Sequence, residues 1–186
     1  SACICIEQAD KVFLTLAEGT HNSLTSVSFS DSAQEQGIDA ALFARDDLTL
    51  NGRGSLLVSC PDGHGIDAND ELVITGGKIT ITAAKDAVHV NDSLRIANAG
   101  MIIYAGDDGL TVDNDDAYIY IESGTYTINA MDDGITSPGD IIIAGGEITI
   151  ATGSGLGHHG VKAGNTYTST GGTVTWNPAS FSMDPE

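Results

Sequence analysis

Cations are scarce in this sequence: 7 Lys and Arg stand against 26 Asp and Glu, a formal charge of -19. Counterion release on nucleic acid needs a basic face, so nucleic-acid binding by that route is nearly excluded as a function class. Anionic membranes are disfavoured as partners on the same ground. Cysteine is nearly absent, at 3 residues, and an odd count builds no disulfide framework. Cys3 and Cys5 sit two apart in an apolar run and share one strand face with poor bridging geometry. The alternatives are one bridge to Cys60 or buried free thiols. Proline is limited to 4 residues, and 41% hydrophobic against 18% charged residues is not the composition of a disordered chain. No apolar run is long enough to span a bilayer. No signal peptide is present, and the bare Ser1 start is what removal of a targeting segment would leave. The unbalanced acid calls for a cationic partner, and a metal ion is the obvious one.

Glycine, by contrast, is frequent at 23 of 186 residues, a length that suits one domain. Short apolar pieces recur in a fixed order: ALFA (41–44), GIDA (65–68), AVHV (87–90), GLTV (109–112), GITS (134–137) and GVKA (160–163). Their starts step by 24, 22, 22, 25 and 26 residues. Each period also holds a short strand such as LVI or IYI, a glycine turn, and a longer alternating strand such as KITIT or TYTIN. Three short strands per unit cannot bury their own apolar faces, so the units must stack. The expected fold is therefore all-β, a right-handed parallel β-helix of 22–26-residue rungs. A four-stranded sandwich is the rival architecture. Residues 1–40 fit the period less well and are expected to be irregular N-terminal rungs; 41–176 are regular, and 177–186 form a tail. The inward ladder is expected to be Leu56, Ile79, Ile102, Tyr126, Ile148 and Val174, with Tyr104 and Trp176 also inward.

Stacking turns the acid count into geometry. Before each short strand, one column runs His64, Asp86, Asp108, Asp133 and His159. Its neighbour runs Gly63, Lys85, Asp107, Asp132 and His158. After the same strand come Asp70, Asp92, Asp113 and Asp115. Like charges about 5 Å apart cost roughly 0.8 kcal/mol per pair even in bulk water. Hard oxygen donors in turns suit Ca²⁺, so calcium is expected between rungs at Asp86, Asp107, Asp108, Asp132 and Asp133, with Asp70, Asp92, Asp113 and Asp115 as further metal candidates. Otherwise these residues make Asx-turns and keep the rod soluble. His158 and His159 are either a transition-metal pair or idle.

The stretches DKVFLTLAEGTHNSLT (10–25), AALFARDDLTLNGRGSL (40–56), ELVITGGKITITAAKDAV (71–88), GDDGLTVDNDDAYIYIESGTYTINAMDDGI (106–135) and GDIIIAGGEITIATG (139–153) together resemble the bacterial carbohydrate-binding β-helix family. That resemblance implies a fold similar to the pectate-lyase superfold. It also implies structural calcium, secretion or surface attachment, and non-catalytic binding of cellulose or polygalacturonate. The family's DDG carboxylates fall on Asp107, Asp108, Asp132 and Asp133, while Ala87 and Gly65 depart from the motif.

A binding module needs outward groups on flat faces. Those expected are Thr49, Val73, Arg95, Tyr120 and Ile142 on one strand, and Phe43, Asp67, His89, Thr111, Thr136 and Lys162 on another. Tyr120 beside Arg95 suits a sugar ring and its hydroxyl or carboxylate; His89 and Lys162 complete the candidate set. The expected partner is a polysaccharide, bound by a monomer. A calcium-assisted lyase is the enzymatic alternative, with Lys85, Arg95 or Lys162 as base. An adhesin or ice-binding scaffold would use outward Thr80, Thr127, Thr149 and Thr175, a column interrupted by Leu57 and Ile103.

Overall fold

The computed structural model describes residues 1–181 and 183. Two parallel sheets wind into a β-helix of about six turns with rungs of about 24 residues. The first sheet stacks Ile4–Ile6, Ala40–Ala44, His64–Ala68, Val88–Val90, Leu110–Val112, Ile135–Ser137 and Val161–Ala163. Its register pairs Leu42 with Ile66, then Val88, Leu110, Ile135 and Val161, the periodic positions of the sequence. The second sheet has twelve strands in two arms, joined where Asp47–Cys60 and Glu71–Ala83 run through both. The first arm continues through Ser93–Ile96, Tyr118–Ile121, Asp140–Ile143 and Tyr167–Ser169. The second continues through Ala99–Ala105, Gly124–Ala130, Glu147–Thr152 and Thr173–Pro178. Alternate residues of most strands fill one continuous core, chiefly of Leu, Ile, Val and Ala.

Several expectations are corrected. The second-arm ladder is Leu56, Ile79, Met101, Tyr126, Ile148 and Val174. Met101 therefore takes the place assigned to Ile102, which points outward and is 44% exposed. In the apolar run MIIY no alternation marks the faces, and a slip of one residue exchanges them. Ile103 is consequently core and Tyr104 lies outward, half-buried. The outward threonine column is thus interrupted by Leu57 and Ile102. Trp176 is in inward register with Ile150 but stays 44% exposed, because among the described residues no further rung stacks on it.

The first 40 residues also hold more order than their sequence suggests. Ile4–Ile6, Lys11–Leu16 and His21–Thr25 pair in register with the next rung and complete a turn of the coil. The polar excursion after them makes one helical turn, Asp31–Gln34, capped by the Ser30 side chain on the Ala33 N–H. It folds Ile38 and Ala40 onto Phe43, which is outward as expected yet fully buried. Cys3 and Cys5 are exposed free thiols and Cys60 a buried one.

Candidate functional site

The acidic turns follow the second-arm strands and precede the short strands of the first sheet. Glycine closes each DDG because the next rung leaves no room. A Cβ on Gly109 would sit 2.4 Å from the Gly134 carbonyl oxygen, and one on Gly134 would sit 2.6 Å from that of Gly160. This close approach brings each carboxylate to the backbone above it. The Asp108 N–H donates to Asp86 Oδ1 at 2.9 Å, the Asp133 N–H to Asp108 Oδ1 at 2.8 Å, and the His159 N–H to Asp133 Oδ1 at 2.7 Å. The acid column is thus a ladder of acceptors that satisfies turn N–H groups.

Basic side chains close the ladder at both ends: Lys162 and His159 at one, His64 at the other. Lys162 Nζ donates to Asp133 Oδ2 at 2.7 Å, and His159 Nδ1 lies 3.1 Å from Oδ1, which leaves Asp133 only 1% exposed. At the other end His64 Nδ1 lies 3.2 Å from Asp86 Oδ2, close but out of line for a hydrogen bond. Asp108, in the middle, has no such partner among the described residues. Burial pushes its pKa up; the Asp133 N–H opposes this, but Asp86, Asp133 and Asp107 add to it and the value reaches about 7. Asp107 is raised as well, by burial first and then by Asp86 and Asp132. Carboxylate oxygens of Asp107, Asp108 and Asp132 all lie within 4.8 Å of one another. Three hard oxygen donors at that spacing, two of them with pKa raised by burial and neighbouring like charge, fit a divalent cation that would offset that charge. Beside them, His158 Nδ1 is 3.0 Å from Asp132 Oδ1.

The other acids lie apart from this cluster. Asp92 Oδ1 accepts from the Asn114 side-chain amide at 2.6 Å. Asp113 contacts His89 Nε2 at 2.9 Å, and Asp67 contacts Nδ1 of the same ring at 3.0 Å. Burial of that ring pulls its pKa down, but Asp67 and Asp113 outweigh it and hold the value up at about 9. Asp70 is raised by burial and then by Asp92, Asp46 and Asp47. Asp115 is exposed beside Asp116.

The four sugar-binding candidates divide between the sheets. Tyr120 and Arg95 are register partners on the first arm, flanked by Val73 and Ile142 in the same column. They line a small hollow of about 120 Å³ with Thr75 and Glu122. Arg95 Nη1 is 3.8 Å from Glu71 Oε1, loose enough to leave its other donors free. His89 and Lys162 share a column of the first sheet, separated by Thr111 and Thr136, and both are engaged by carboxylates. Lys85 is likewise bound, to Asp39. Hydrogen bonding to these carboxylates raises the pKa of Lys85 and of Lys162, the wrong direction for a neutral base. Asp39 and the pairing of Asp67 with His89 escaped sequence reading; Asp39 lies in the irregular excursion, where no period aligns it.

A parallel β-solenoid with carboxylates stacked in its turns places the chain in the pectate-lyase-like β-helix class. The chain belongs to the family of carbohydrate-binding domain-containing proteins, which it matches over residues 1–183. It is 35% identical over 159 residues to a carbohydrate-binding domain-containing protein of Acetivibrio thermocellus. That match covers 82% of this chain, and the chain spans 56% of that relative's length. Among solved structures, it is similar to the polysaccharide lyase-like protein from C. thermocellum, obtained as a gadolinium derivative. The two are 32% identical with a TM-score of 0.85, over 93% of this chain and 72% of the other.

Proposed function

We propose that this chain binds a plant cell-wall polysaccharide, cellulose or a pectin such as polygalacturonate, without cleaving it. The observation that carries this reading is the Tyr120–Arg95 register pair on an extended parallel sheet. An aromatic ring offers a stacking surface for a sugar, and a guanidinium beside it grips hydroxyls or a carboxylate. Val73 and Ile142 lengthen the strip along successive rungs, roughly 4.8 Å apart, so it suits an extended chain more than a single sugar. A cell-wall ligand implies that the protein works outside the cell, and we take it to act as a monomer.

Calcium is the proposed cofactor, held by Asp107, Asp108 and Asp132. Bound there, it would neutralise the stacked negative charge. The oxygen-only donor set supports that choice of ion, as does the gadolinium derivative of the solved neighbour, a cation of similar hardness. Asp86 and Asp133 support the cluster from either side through their hydrogen bonds to the Asp108 and His159 N–H groups.

Retention on insoluble cellulose and on immobilised pectin tests the reading. Tyr120→Ala combined with Arg95→Ala is expected to lower affinity by about tenfold or more, with the thermal transition unchanged because both side chains lie outside the core. Undiminished retention by that double variant would discard the strip. Absence of retention on every polysaccharide tried would discard the function.

A further inference from the structure

The bend between the two arms of the twelve-stranded sheet carries a groove of about 640 Å³, running from Gly52 and Arg53 past Gly76 and Lys78 to Gly100 and Gly124. Two of the chain's 7 basic residues meet there. Both are exposed, and among the described residues neither Arg53 nor Lys78 has a carboxylate within 4.0 Å. Elsewhere cations are taken: Lys11 by Asp47, Lys85 by Asp39, Lys162 by Asp133 and, more loosely, Arg95 by Glu71. Arg45 donates to the Gln36 carbonyl and lies over the Phe43 ring. In a chain with 26 acids, two uncommitted cations in one groove are a local reversal of sign.

The floor of the groove is open at a residue that packing does not require to be glycine. Gly52, Gly76 and Gly124 have positive φ, and a Cβ on any of them would strike the carbonyl of an adjacent rung at 2.1 to 2.5 Å. Gly100 shows neither constraint: its φ is ordinary, and a Cβ there would meet nothing within 4 Å. Its column partners Ser55, Lys78, Thr125, Glu147 and Thr173 all carry side chains. The missing side chain at Gly100 leaves a berth between Lys78 and Thr125, on the Lys78 side of the sheet surface.

We propose that this groove binds an acidic sugar unit, with the carboxylate of a uronate held by Arg53 and Lys78 and the sugar ring seated over Gly100. Guanidinium with carboxylate gives a planar, bidentate, charge-assisted contact, and the ammonium adds a second charge from the neighbouring rung. The assignment rests on the carbohydrate-binding reading and extends it, because Thr75 lines both this groove and the Tyr120–Arg95 hollow. A polysaccharide leaving the hollow can therefore enter the groove. At physiological ionic strength the Debye length of about 8 Å screens the remote acids from the site more than it weakens direct contact.

The test is calorimetric titration in chelator with four probes: an oligouronate, its methyl ester, a sulfated neutral oligosaccharide and a neutral glucan oligomer. The oligouronate is expected to bind at least roughly tenfold more tightly than its ester. Arg53→Ala and Lys78→Ala are each expected to weaken it by roughly tenfold, while glucan binding stays as it was. Gly100→Glu, which fills the berth with the charge found at Glu147 of the same column, is expected to abolish oligouronate binding. An oligouronate affinity unchanged in the Arg53→Ala/Lys78→Ala double variant overturns the proposal, as does oligouronate binding that appears only with calcium. Tighter binding of the sulfated probe overturns the uronate assignment. Glucan binding by the strip with no binding of the oligouronate overturns the groove and leaves the proposed function standing. Failure of every probe and every insoluble polysaccharide brings down both.

Discussion

Asp108→Asn is expected to stabilise the calcium-free protein and to abolish its response to calcium, two effects of opposite practical sign from one isosteric change. The amide oxygen still accepts the Asp133 N–H, a contact of 2.8 Å in the parent, so the ladder is kept. What disappears is a half-buried charge flanked by Asp86, Asp107 and Asp133. A folded-state pKa of about 7 lies above the ordinary 3.8, so the folded state holds this proton more tightly than the unfolded chain does. Stability from the protonated group is fully present below pH 3.8 and is lost as pH rises through 7. In chelator the variant should therefore match the parent near pH 4 and exceed it by on the order of 2 kcal/mol at pH 8. In calcium at about a hundred times its Kd, the parent should gain about 2.7 kcal/mol, or roughly 5–10 °C in Tm for a chain of this size. The variant should gain almost nothing. Thermal melts at the two pH values, each with calcium and with chelator, read all of this. A variant less stable than the parent in chelator at pH 8 would mean that the stacked charge is not a liability.

Ile103→Ala is expected to be the most damaging change among neighbouring alanine substitutions, and Ile102→Ala almost harmless. Ile103 is fully buried between Ile81 and Ile128 of the adjacent rungs. Truncating it removes a buried branched side chain and leaves a cavity in a ladder that relaxes little, at a cost of about 3–4 kcal/mol. Each rung is stabilised by its neighbours, so a defect at the centre of the coil loosens two interfaces at once. Ile102, which faces outward, should cost less than about 1 kcal/mol. Urea unfolding of the two variants compares them directly. Equal losses would mean that the strand is shifted by one residue from the register described.

Much of the fold is legible in the sequence because stacking makes equivalent residues vertical neighbours. The steps between ALFA, GIDA, AVHV, GLTV, GITS and GVKA reappear as hydrogen-bonded register pairs, from Leu42 with Ile66 to Ile135 with Val161. The outward column Thr49, Val73, Arg95, Tyr120 and Ile142 is legible for the same reason. Ile102 and Ile103 were not, since four apolar residues in a row erase the alternation that assigns faces. Nor was the cover over Phe43, which depends on Ile38 and Ala40 returning from a segment outside the period.

At the candidate site, the sequence marks which acids stack but not what each carboxylate does. Asp133 and Asp108 occupy equivalent positions, yet Asp133 is closed off by Lys162 and His159 while Asp108 is left with like charges. That difference arises because the rung after Asp133 carries Lys162 and His159 where the rung after Asp108 carries Thr136 and Asp133, and a column of positions does not say which side chains reach back to a carboxylate. His89 shows the reverse case: its outward position is periodic, but its engagement by Asp67 and Asp113 comes from the rungs on either side. The uncommitted pair Arg53 and Lys78 does carry a linear signature, a basic residue directly after a glycine turn in NGR and GGK.

Calcium titrated calorimetrically into metal-free protein at pH 8 tests the stacked-carboxylate site most directly. One binding event is expected in the parent, lost when Asp107→Asn is combined with Asp132→Asn. No heat from the parent, or the same isotherm from the double variant, would contradict a cation bridging these rungs.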